Sequence, residues 1–173
     1  MSKKAVLLVA LFLSLAFAAK ATVAQERGPS TPEERKRAVE IVTLLENDPL
    51  NKNAKALSRE LLLWLIQVPD VSVTLCTNVL GDYSKIKGDY APTIVTQLTF
   101  SEAKFVIEHP EQANDQFQVY LAGVEGVIKT YENIKKAKPK VNMEPLEQLL
   151  AKQQAGQLAD FVKEAMGACK SKQ

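Results

Sequence analysis

Between its prolines this chain repeats one apolar spacing, that of a helix. Proline has no N–H and its ring clashes inside a helix, so it sits in the first turn or marks an end. Pro32, Pro92 and Pro145 stand near starts, and Pro49, Pro69, Pro110 and Pro139 near ends or in linkers. The first helix opens at Thr31-Pro32-Glu33-Glu34, where a capping Thr is followed three residues later by a Glu. Ala38, Ile41, Val42 and Leu45 then form one face before Asp48-Pro49 stops it.

A second helix is expected over about residues 51–68, with Ala54, Leu57, Leu61, Trp64, Leu65 and Val68 on one side. Leu62, Leu63 and Ile66 make its second half apolar all round, the mark of a central, buried helix with Trp64 in the core. A third is expected over about 71–80, capped by Asp70, with Val73, Cys76, Val79, Leu80 and Tyr83 on one face. A fourth fits 91–108, with its pattern interrupted near Ser101, where a kink is allowed. The fifth, about 115–136, has the clearest stripe: Phe117, Tyr120, Leu121, Val124, Ile128, Tyr131 and Ile134. Two short helices follow, 145–154 and 157–166. No segment alternates as a strand does, so the expected class is all-α. The helices start in pairs about 40 residues apart, within the range of helical repeats. No residue pattern recurs with them, which favours a single compact bundle of six to seven helices over residues 31–173.

The N-terminus reads differently. Lys3 and Lys4 precede an apolar run from Ala5 to Ala19, broken only by Ser14, and small residues cluster at Ala18, Ala19, Ala21, Thr22 and Ala24. Charge, a short apolar stretch and a small-x-small site make the pattern of a cleaved secretory signal, residues 1–24, with cleavage after Ala24 or Ala21. Residues 25–30 follow as a polar lead expected to be mobile. Loss of Lys3, Lys4 and Lys20 turns the formal charge from +2 to 19 basic against 20 acidic residues, or −1. A near-neutral mature chain argues against nucleic acid as a partner. No later stretch reaches membrane length, so no span is expected after cleavage. The expected location is the bacterial periplasm or the exterior. There the two cysteines, Cys76 and Cys169, meet oxidising conditions. Both continue apolar helix faces, and a disulfide between them is expected.

Motifs for catalysis are missing. The single His109 ends the fourth helix, where a positive ring suits the dipole. No HExxH, GxSxG or phosphate-loop pattern occurs, and neither a metal nor a cofactor is expected. The leading expectation is a non-enzymatic binding or interaction protein for an unknown protein or a small polar ligand. The alternatives are an envelope hydrolase whose site is assembled only in space, and a structural or assembly protein. Gly81 to Tyr90 repeats Gly-Asp-Tyr, and Asp82, Tyr83, Asp89 and Tyr90 are the candidate binding residues. Gly123 and Gly126 interrupt the fifth helix, which calls for close packing. Lys135, Lys136, Lys138 and Lys140 are expected to form a solvated basic turn at a helix C-terminus, with contact to an anionic surface as the alternative.

Overall fold

The computed structural model describes residues 27–170, and of Lys170 the backbone alone. The signal-peptide reading of residues 1–24 falls outside them. Among the described residues there are six α-helices and no strand: α1 (Pro32–Asn47), α2 (Ala54–Gln67), α3 (Ala91–Glu108), α4 (Gln116–Ala137), α5 (Glu144–Gln154) and α6 (Leu158–Lys170). They pack as one bundle, and α3 and α4 form its central pair.

Local chemistry sets several of these boundaries. Thr31 Oγ1 accepts from the Glu34 amide at 3.2 Å, and the Glu34 carboxylate accepts from the Thr31 amide at 2.9 Å. This is the reciprocal capping box that the four residues imply. Asp115 caps α4 by accepting from the amides of Phe117 and Gln118. His109 closes α3, its amide donating to Phe105, and its ring lies 4.8 Å from that of Phe105. Helix α3 runs unbroken through Ser101.

Three expectations fail. Residues 71–76 are not helical; one 3₁₀ turn, Thr77–Leu80, stands where the third helix was expected. Val71, Val73 and Thr74 are β-branched and stiff in a helix. Asp70, the expected cap, instead accepts from the Ser30 amide at 2.9 Å, from Ser30 Oγ at 2.8 Å and from Arg35 at 2.6 Å. The two Ser30 bonds join the end of the polar lead to the segment after α2. Arg27 also pairs with Glu34.

The third failure is α2, which is peripheral. Leu61 is its one buried residue, and Leu62, Leu63 and Ile66 are exposed. Trp64 is only partly buried, between α1 and the side of α3. The central helix is α4, with ten buried residues. Its glycines explain why. A Cβ on Gly123 would come within 2.7 Å of Glu102 Cγ, and one on Gly126 would overlap Ser101. The bare backbone lets α3 approach closely, and that contact does more to bury α4 than apolar content does for α2.

The core has a large cluster around Val79, Leu80, Ile94, Leu98, Ile128, Tyr131 and Leu146. A smaller one joins α1 and α2 around Phe100. A disulfide links Cys76 to Cys169 with Cα atoms 6.0 Å apart, pinning α6 beside the Thr77–Leu80 turn.

Candidate functional site

The Gly81–Tyr90 loop is well fixed. Gly81 and Gly88 have φ of 78° and 98°, left-handed values that disfavour any side chain. Between them Ile86 is buried and Lys85 pairs with Glu144 of α5 at 3.2 Å. Asp82 is turned inward on its own loop: it accepts from Ser84 Oγ at 2.6 Å and from the Ser84 amide at 3.2 Å. Those bonds hold its carboxyl below the usual range. Tyr83 is exposed on a short 3₁₀ turn, Tyr83–Lys85.

Asp89 and Tyr90 separate from that pair. They line a groove of about 660 Å³ between the α1–α2 turn and the start of α3. Leu45, Leu50 and Phe100 supply its apolar floor, and Asn51, Lys52, Lys55, Ser58, Thr93 and Thr96 its polar walls. Gln97 also lines it, although only 2% exposed; its Nε2 donates to Ser101 Oγ at 2.9 Å, which fixes the amide. Tyr90 borders a second cavity of about 360 Å³, with Lys138, Pro139, Lys140 and Val141. The four nominated residues therefore divide, with Asp89 and Tyr90 in the groove and Asp82 and Tyr83 forming a surface turn.

Sequence reasoning missed Gln97, Thr96, Ser58 and the α1–α2 turn. The available signal was Gln97 itself, a polar residue one turn before Ser101 on a face otherwise carrying Ile94, Leu98 and Phe100. It also missed a buried polar hub next to the groove. Glu46, 4% exposed, accepts from Ser101 Oγ at 3.0 Å, Lys104 Nζ at 3.2 Å and Lys129 Nζ at 3.4 Å. Asn133 Nδ2 donates to the Glu46 carbonyl at 2.8 Å. The hub ties α1 to α3 and α4, and through Ser101 it holds Gln97.

The basic turn is partly engaged. Lys135 pairs with Glu147 at 2.5 Å, and Lys136 donates to Asn133. Glu147 also accepts from Tyr131 Oη at 2.5 Å, while Tyr131 Oη takes the Met143 amide at 2.9 Å.

Lys52 and Lys55 carry the positive charge of the groove. Asp89 is its one carboxylate, and no His lines it. His109 lies beyond the other end of α3, an 18-residue helix spanning roughly 27 Å. Among the described residues no three His, Cys, Asp or Glu side chains gather to hold a metal, and no helix is long and apolar enough to cross a membrane. Compared with known proteins, the chain matches no family model, no curated protein and no solved structure.

Proposed function

We propose that this is an exported, non-enzymatic binding protein whose ligand is a small polar molecule held in the groove between the α1–α2 turn and the start of α3. Export is supported by the N-terminal charge-apolar-small pattern, and a disulfide between helices suits an oxidising compartment. The observation that carries the binding reading is Gln97. It is an oriented amide at the base of a concave, mostly apolar floor, with hydroxyls and charges around it. Ligand sites commonly combine an apolar lining with a few fixed polar groups. Lys52 and Lys55 outnumber Asp89 on the walls, which favours a ligand with an anionic group. Tyr90 adds an aromatic face.

Native mass spectrometry of protein purified from its own host tests this. Wild type should carry a small bound species that is absent from Thr96→Trp, whose indole fills the groove. The same species on a folded Thr96→Trp variant puts the ligand elsewhere. Wild type that stays empty, even after incubation with its host's small-molecule extract, ends the reading.

A further inference from the structure

Helix α2 presents two faces that its place in the fold treats very differently. Leu57, Leu61, Trp64 and Leu65 turn toward α1 and α3. Lys55, Arg59, Leu62 and Ile66 follow at steps of four, three and four, so they form one outward stripe, with Leu63 beside it. Leu62 is 43% exposed, Leu63 48% and Ile66 72%. Isolated apolar residues on a surface need no explanation, but three neighbours on one helix face do.

The polar half of the stripe is one-signed. Lys55 and Arg59 are both exposed and basic, with Lys52 just before the helix. The sole acid of α2, Glu60, is held by Arg37 at 3.0 Å. Basic residues in a first turn oppose the helix dipole, and α2 has neither an acid in that turn nor a side-chain cap. Among the described residues no carboxylate forms an ion pair with Lys55 or Arg59. An external anion would.

We infer that the outer face of α2 is a docking surface for an anionic phospholipid bilayer, with Leu62, Leu63 and Ile66 entering the acyl boundary and Lys55 and Arg59 meeting the headgroups. A helix lying in the interface plane requires this division, an apolar strip beside Lys or Arg. A second copy of the chain fits poorly. Two α2 faces packed together bring only basic and apolar groups to the contact, and no acid to pair with Lys55 or Arg59. The basic turn at Lys135–Lys140 is the weaker alternative, since Lys135 and Lys136 are already engaged and no exposed apolar strip adjoins them.

The test uses the chain from Gln25 onward, because the bundle of residues 27–170 carries its own core and the apolar N-terminal run would bind lipid by itself. Flotation compares phosphatidylcholine vesicles with and without phosphatidylglycerol. The protein should float with the anionic vesicles, less so at high salt. Arg59→Glu reverses a charge worth about 1 kcal/mol per unit at an anionic surface, so its partitioning should fall about tenfold or more. Leu62→Ser with Ile66→Ser should reduce it comparably at unchanged salt sensitivity. All these positions are exposed, so melting curves should match wild type. Wild type that does not float overturns the inference, as do variants that float like wild type. A concentration-dependent dimer that Leu62→Ser/Ile66→Ser abolishes, without flotation, assigns the face to a second copy instead. Arg59 does not line the groove, so this outcome is independent of ligand binding there.

Discussion

Glu102 lies directly against Gly123, close enough that a Cβ on the glycine would approach the Glu102 Cγ to 2.7 Å and its Oε1 to 3.2 Å. Both carboxyl oxygens are buried and without a hydrogen-bond partner among the described residues. Burial alone pushes this carboxyl up to about 8. The unfolded chain ionises the group near 4.5, so between 4.5 and about 8 the unfolded state binds fewer protons than the native one. Stability therefore falls as pH rises through that window and levels off above it, by on the order of 5 kcal/mol in total. Glu102→Gln keeps the shape and removes the titration. Urea unfolding at pH 5 and pH 8 should show the wild type losing stability relative to the variant; parallel behaviour at the two values contradicts this account.

Gly126 makes a second prediction through its sign. Ala in place of Gly inside a helix ordinarily stabilises by about 1 kcal/mol. Here the new methyl overlaps Ser101. Gly126→Ala should instead cost about 1–3 kcal/mol, the usual range for overpacking. Ser101→Gly in the same chain should make the double variant less unstable than the two single changes summed. Additive values would mean that α3 and α4 adjust without strain.

The disulfide closes a separation of 93 residues. Chain entropy for a loop of that length gives about 4–5 kcal/mol. For a domain of this size that corresponds to about 10 °C or more in melting temperature. Calorimetry with and without reductant measures it, and non-reducing peptide mapping should recover Cys76 joined to Cys169. Freely alkylated thiols in unreduced, unfolded protein would remove the link.

Asp70 contributes on the acid side. The Ser30 amide bond, with help from Arg35, lowers its carboxyl to about 2 from 3.8. Such a depressed group contributes fully above the unfolded value and loses its contribution as pH falls from 3.8 towards 2. Melting temperature across that range should drop more for wild type than for Asp70→Asn. Equal slopes would show that the link between the lead and α2's end is not felt in stability.

Where local chemistry decides an outcome, the sequence was a good guide. The Thr31 capping box, Pro92 at the start of α3, the α4 stripe and the bond between Cys76 and Cys169 all take their expected places, although Cys76 reaches it from a non-helical segment. Where contacts between distant segments decide, it was not. Composition made α2 the central helix, but Gly123 and Gly126 gave that position to α4, because only a helix with a bare strip admits a neighbour so closely. The groove was half legible. Asp89 and Tyr90 were named from a local repeat, whereas Asn51, Ser58 and Gln97 come from three other segments, joined only when α1 and α2 fold back on α3. Glu46 illustrates the same limit: its partners Lys104 and Lys129 lie 58 and 83 residues away.

The bond between Cys76 and Cys169 also divides the molecule mechanically. Helices α3 to α6 lie inside a covalent ring, while α1 and α2 lie outside it. Tension on the two ends can peel away only the N-terminal arm and the last few residues. The ring withholds 93 residues, roughly 300 Å of contour, from extension. Such a pull must also part Glu46 of α1 from Lys104 and Lys129 within the ring. An unfolding trace in oxidising buffer should thus be short, and it should lengthen by that withheld contour once a reductant is added.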